Sequence, residues 1–242
     1  MENPSSVSHK HSGPAGARNM GVTRARGQWV YFTDDDCWLQ PDTLTRLWAR
    51  LERHPTAAIA GACAAADLDN TWSLATQAQI DAVASFFNRD TGRATYGATS
   101  NLAVPTSLFR ASGGLDTDFR ISEDREFLDR WVRNGHPLVY APEIVVVHRH
   151  PCTLRELLLR NVGYGRGARQ FARTRRAQQV AEPSFEPGFY RHLFTHPLRA
   201  GYPRKLHVLA GVLVARSAYA FGYLTARPAS PPGMQPSERP AC

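Results

Sequence analysis

Three short polar runs in this 242-residue chain carry side chains able to do chemistry. The first is Asp34-Asp35-Asp36. Adjacent carboxylates repel one another, so such a run either meets a cation or shapes a turn. Hard divalent ions such as Mn2+ and Mg2+ take oxygen ligands and bridge to substrate phosphates. In an extended segment Asp34 and Asp36 point to one side, which makes them candidate metal ligands. An Asx turn leading into a helix is the structural alternative. The second run is Ser122-Glu123-Asp124. Asp124 falls in the first turn of a helix and shares a face with Leu128 and Trp131, and an inward carboxylate suits a general base that takes a proton from a hydroxyl. The helix dipole favours its ionised form, and simple helix capping is the alternative. The third is His148-Arg149-His150, whose two imidazoles lie on one side of a strand end. They could complete a metal shell or bond a phosphate, or they could merely close a strand in solvent.

These runs need elements to position them. Pro14 to Arg26 predicts a helix stopped by Gly27. Trp29 to Thr33 is a bulky β-prone run that delivers Asp34 to Asp36 at its end. Pro41 to His54 predicts a helix with Leu44, Leu47, Trp48 and Leu51 on its apolar face. Ala57 to Ala66 predicts a strand, Trp72 to Phe87 a helix, and Asn101 to Val104 a strand, with Pro105 ending it or opening a short helix. Gly113-Gly114 marks a turn. Ser122 is the expected N-cap of a helix to Asn134, closed by Gly135. Leu138 to Tyr140 and Ile144 to Val147 predict two strands separated by Ala141-Pro142-Glu143. From Leu154 a basic helix follows, weakened by Gly163, Gly165 and Gly167. Strands alternating with helices imply an α/β sheet, at least partly parallel, with the ligand beyond the strands' carboxyl ends.

Charge divides the chain. Residues 1–152 carry 15 Lys/Arg against 17 Asp/Glu, whereas residues 153–242 carry 14 against 4. A basic tail on a neutral body points to an anionic partner or to a merely solvated surface. Leu206 to Thr225 is long and apolar, but Arg216 near its middle and Arg204-Lys205 before it favour an interfacial helix over a spanning one. Four cysteines, Cys37, Cys63, Cys152 and Cys242, form no C-x-x-C pair, match no zinc-site spacing and fit a reducing cytoplasmic compartment. Residues 1–12 and 228–242 are expected to be disordered.

Taken in order, the motifs resemble family-2 glycosyltransferases of the GT-A fold. The segments carrying the resemblance are Gly13-Pro14-Ala15-Gly16-Ala17-Arg18-Asn19, Ala25-Arg26-Gly27, Trp29-Val30, Asp34-Asp35-Asp36, Pro41-Asp42, Asn101-Leu102-Ala103-Val104, Gly113-Gly114-Leu115-Asp116 and Glu123-Asp124. The resemblance covers roughly residues 13–165 and implies a mixed, mostly parallel GT-A-like sheet flanked by helices over 13–152. Residues 153–227 would then form a basic helical extension. It implies that Asp34 and Asp36 form the D-x-D motif holding Mn2+ or Mg2+ and the nucleotide-sugar, with Asp35 between them sharing the task and Arg18 among the donor contacts. It implies Asp124 as the base of an inverting transfer, Glu123 as a holder of the acceptor, and His148 as a late metal or diphosphate contact. The expected partners are a nucleotide-sugar, most commonly a UDP-sugar, and a glycan or lipid-linked acceptor, with the tail peripheral to an anionic inner membrane face.

Two or three βα units normally precede the Gly-Pro-Ala segment in this family. Here twelve polar residues do, so either the start of the chain is placed too late or the domain lacks its opening strands, in which case the sheet is expected to expose an edge. Three other classes compete with a working transferase. One is a non-catalytic remnant or membrane-associated binding protein. A nucleotidyltransferase is another. The third, a nucleic-acid binder, is not expected, because the tail carries no recognisable binding module.

Overall fold

The computed structural model describes residues 13–181 and 187–227. The expectations for 1–12 and 228–242 lie outside the described residues. Fifteen elements run in the order α1 (Gly13–Arg24), β1 (Trp29–Phe32), β2 (Cys37–Leu39), α2 (Thr43–Arg53), β3 (Ala58–Ala65), α3 (Thr71–Phe87), two single-turn 3-10 helices (Thr91–Arg93 and Thr99–Asn101), β4 (Leu102–Pro105), α4 (Thr106–Ala111), α5 (Glu123–Arg133), β5 (Leu138–His148), α6 (Leu154–Ala177), α7 (Pro187–Arg199) and α8 (Lys205–Thr225).

The α/β class holds, and one five-stranded mixed sheet in the order β1-β4-β3-β5-β2 forms its centre. The expectation of mostly parallel pairing is corrected: only β3 and β5 pair in parallel, and the other three pairings are antiparallel. The reason is topological. β1, β3 and β5 all run one way, but β4 inserts in the opposite sense between β1 and β3. β1, β3 and β5 therefore deliver their carboxyl ends, at Phe32, Ala65 and His148, to a single edge. Thr33 to Asp36 link β1 and β2, which stand at opposite ends of the strand order, so the three aspartates cross over that edge.

Alternation along the strands feeds two cores. Ala58, Ala60, Leu102 and Val104 face α1, α4 and α5 through Ala15, Val22, Phe109, Phe127, Leu128 and Trp131. Ile59, Ala103, Val139 and Ile144 face α2 through Leu47 and Leu51. Leu44 and Trp48, expected on the same buried face of α2, are exposed. The two short strands expected around Pro142 are one strand, β5. Its register with β3 jumps from Gly61↔Ala141 to Ala62↔Val145, which accommodates Pro142 in a bulge where no ladder donor is needed. Asn101 closes the bulge. Its Nδ2 donates to Ala62 O at 2.7 Å and Ile144 O at 2.9 Å, while its Oδ1 accepts from the Tyr31 hydroxyl at 2.9 Å. A side chain at Gly61 would collide with that amide.

A third core joins α3 to the helices after β5, through Leu74, Ala75, Ala78, Leu193, Val208 and Val212. The glycines expected to weaken α6 leave it continuous for 24 residues. They are contact points: a Cβ at Gly165 would strike the Tyr219 carbonyl of α8, and one at Gly222 would strike the Val162 carbonyl of α6. Dispersion gained by two backbones in contact offsets the roughly 1 kcal/mol propensity cost per glycine. Thr153 and Glu156 cap α6 reciprocally.

Candidate active site

The edge that collects the carboxyl ends of β1, β3 and β5 brings the three motifs together. Asp34 and Asp36 are half-buried and turned to the same side, while Asp35 is exposed. Asp34, Asp36, Cys37 and His148 each offer a donor atom within 4.8 Å of the others. Register explains the meeting: Cys37 of β2 pairs directly with His148 of β5, and the Arg149 amide donates to Asp36 O at 3.0 Å. His148 Nε2 lies 3.1 Å from Asp36 Oδ1. Two carboxylates and an imidazole suit a hard or borderline divalent ion, so the residues present fit Mn2+ or Mg2+. Asp35 belongs to neither donor group of the described residues.

Arg18 links this cluster to the second motif. From the middle of α1 its Nη2 donates to Asp34 Oδ1 at 2.6 Å and its Nη1 to Glu123 Oε1 at 2.7 Å. Glu123 is 7% exposed, and a carboxylate so deep needs such a partner. α1 is itself tied down by Asn19, whose Nδ2 donates to Leu115 O at 2.7 Å and whose Oδ1 accepts from the Leu115 amide at 2.9 Å. That pair explains Gly114: φ there is +70°, and a Cβ would crowd the Asn19 side chain.

Asp124 follows in the first turn of α5. Burial, and then the charge of Glu123, push its carboxyl up from 3.8 to about 6, partly opposed by the Arg125 amide and by Arg18. A carboxyl titrating there can accept a proton near neutrality. The Ser122 side chain is not the cap that the sequence suggests: it makes no capping bond, and its backbone is left-handed at φ 71°. Gly167 of α6 abuts it so closely that a Cβ would meet Ser122 Oγ at 2.6 Å and Ile121 O at 2.8 Å. Non-glycine residues in this conformation persist only where packing holds them, and here α6 holds the turn that aims Asp124. Burial, and then the charge of Asp124, raise the Tyr96 hydroxyl. Sequence reasoning passed over Tyr96, read Gly167 only as weakening a helix and gave Cys63 no site, since none belongs to a local motif.

Comparison with known proteins finds glycosyltransferases. The sequence profile of glycosyl transferase family 2 matches residues 6–113. The pre-mycofactocin glycosyltransferase of Mycobacterium tuberculosis is 26% identical over 170 residues, covering 68% of this chain and 36% of that protein. An uncharacterized glycosyltransferase of Haemophilus influenzae is 25% identical over 118 residues, covering 49% of this chain and 40% of that protein. The chain thus spans little more than a third of the length of these curated relatives. Among solved structures, a mannosyltransferase from Pyrobaculum calidifontis in complex with GDP-Man and Mn2+ superposes with a TM-score of 0.50 at 21% identity. The superposition covers 86% of this chain and 56% of that one.

Proposed function

We propose that this chain, which is a family-2-like glycosyltransferase of the GT-A fold, transfers a sugar from a nucleotide-sugar to an acceptor hydroxyl with inversion. The observation that carries this reading is the Arg18 fork, which ties Asp34 of the first motif to Glu123 beside Asp124. Donor grip and acceptor activation then share one rigid frame, as a reaction between two bound substrates requires. Mn2+ bound in the Pyrobaculum mannosyltransferase supports a divalent ion here too, with Asp34, Asp36 and His148 as its ligands. Such an ion supplies neutralisation of the charge that grows on the departing diphosphate.

The remaining roles fall to the chain itself. Asp124 accepts the proton of the acceptor hydroxyl as that oxygen attacks the anomeric carbon from the side opposite the leaving nucleoside diphosphate, which inverts its configuration. Asp124 as base, with the neighbouring Glu123 carboxylate engaged by Arg18, favours this single displacement over a covalent intermediate. Glu123, held by Arg18, positions the acceptor. Asp35, facing solvent, is left for the ribose or a water on the donor. The donor is GDP-linked, as in that neighbour, or UDP-linked, as the family resemblance implies.

A membrane-proximal, lipid-linked or envelope-glycan acceptor is supported by α8. Leu206, Leu213, Phe221 and Leu224 of this helix are exposed, while Val208, Val212, Ala215 and Ala218 are buried, and Arg204 and Lys205 precede the apolar stripe. Although α8 is long and apolar enough to cross a bilayer, it lies against α6, whose Arg160, Arg166, Arg169 and Arg173 could not follow it into lipid. Peripheral docking at a cytoplasmic membrane face fits better. The test is nucleoside diphosphate release from a panel of GDP- and UDP-sugars with Mn2+. Turnover by the chain and its loss in Asp124→Asn support the proposal; a variant with full turnover overturns the assigned base.

A further inference from the structure

Behind the aspartates lies a second, chemically different donor group: Cys63, His148 and His150 each present a ligand atom within 4.8 Å of the others. The sheet assembles it. Ala65 pairs with His148 across β3 and β5, so Cys63, two residues earlier on β3, stands diagonally beside that histidine on the same face. His150 follows the strand end and is 3% exposed.

The hydrogen bonds around His150 decide what it can do. Both amide hydrogens of Gln77 are committed, since Gln77 Nε2 donates to Cys63 O and to Asp81 Oδ1, each at 2.7 Å. Gln77 Oε1 is therefore an acceptor, and His150 Nε2, 2.8 Å away, must carry the proton. That fixes the tautomer and leaves Nδ1 as a bare lone pair, buried and without a partner among the described residues. A buried acceptor left unsatisfied costs free energy, and the histidine that carries it belongs to a group whose other members are a thiol and an imidazole. His148 repeats the pattern: its Nε2 faces Asp36 Oδ1, so Nδ1 is its remaining donor. A ring nitrogen facing the ion while the other is held by a carboxylate or amide oxygen is the arrangement that orients metal-ligating histidines.

We propose that Cys63, His148 and His150 form a binding site for a borderline-soft divalent cation of the Zn2+ class, distinct in chemistry from the oxygen-rich Asp34–Asp36 site. One thiolate and two imidazoles select Zn2+ or Co2+ over Mg2+ and Mn2+, and three protein ligands leave a fourth position open. Binding replaces the Cys63 S–H bond by a metal–sulfur bond, and the proton passes to solvent. The site shares His148 with the Asp34–Asp36 cluster, but the proposal does not rest on the glycosyl-transfer reading, because Cys63 and His150 take no part in it and the readout is independent of turnover.

The test titrates Co2+ into the full chain stripped of metal and follows the sulfur-to-cobalt charge-transfer band together with the intense visible bands of a tetrahedral ion. The expected result is saturation at one ion per chain, displacement by Zn2+ but not by equal Mg2+, and a band retained in Asp34→Asn. Cys63→Ser removes the charge-transfer band, and His150→Gln weakens binding by at least tenfold with an unchanged circular dichroism spectrum. If His150→Gln fails to fold, Cys63→Ser alone decides, since it changes one atom. No charge-transfer band in the folded wild type, or a band that survives Cys63→Ser, overturns the site.

Discussion

Arg18 holds Glu123 at 2.7 Å across 105 positions of sequence, and its second amino group holds Asp34 at 2.6 Å. One guanidinium thereby balances two carboxylates that would otherwise repel each other at the centre of the site. A planar fork can do this where an ammonium cannot. Arg18→Lys should therefore keep the charge but lose the double bond, and turnover should fall with it. Arg18→Ala leaves Glu123 largely buried and unpaired, which should lower stability by about 2–3 kcal/mol, less than the loss for a fully buried pair. Urea unfolding of the two variants checks this; equal midpoints for wild type and Arg18→Ala would contradict it.

Asp124 makes opposite demands on activity and stability. Its raised value, about 6, means that kcat/KM should fall as pH drops below about 6, where the base becomes protonated. Asp124→Asn should lower turnover by roughly 10²–10⁴, the range for a general base. Folding shows the reverse sign. A carboxyl whose folded value lies above its unfolded value of 3.8 stabilises the fold only while protonated, and that contribution is lost as pH rises through about 6. At pH 8 Asp124→Asn removes the strain, and its melting temperature should equal or exceed that of the wild type. A flat pH profile between 5 and 7 would remove Asp124 from the role.

The contact between α6 and α8 gives a structural prediction. Any side chain at Gly165 must displace the Tyr219 carbonyl. Gly165→Val should destabilise by about 2–3 kcal/mol or more, as overpacked cores do, and should disturb the Ile121–Ser122 turn that α6 supports. Thermal melts and turnover of the same variant should fall together. Gly188→Ala, where a Cβ would make only ordinary contacts, serves as the control.

How much of this was visible in the sequence differs from element to element. Periodicity and punctuation located β1, α2, α3 and α5 to within a few residues, because each carries its own apolar stripe and its own stop, such as Gly135 at φ 81° after α5. α7 was expected only as part of a helical extension over 153–227 and had no bounds of its own; its apolar contacts lie with α3 and α8 rather than in a local pattern, and Pro197 interrupts its interior. β2, three residues long, exists only because β5 offers it an edge. The proximity of Asp34, Asp36 and Glu123 followed from motif order. The Arg18 fork, the Asn101 clamp on the bulge and the Gln77–His150 bond did not, since each joins residues far apart in the chain and depends on strand register.

The exposed face of α8 predicts lipid contact. Replacing Leu213 and Phe221, both solvent-facing, by Glu should leave the fold intact and abolish flotation with vesicles containing anionic lipid. Raised salt should weaken flotation of the wild type as well, because the basic contribution is screened. Equal flotation of wild type and double variant would assign this face to something other than a membrane.

The most direct test of the central claim is calorimetric titration of UDP and GDP into this chain with and without Mn2+, with Asp36→Ala as the control. The account predicts binding that requires Mn2+ and vanishes in Asp36→Ala, because that carboxylate meets Asp34 and His148 at one cation position. Binding that is indifferent to the ion, or that survives in Asp36→Ala, would contradict it.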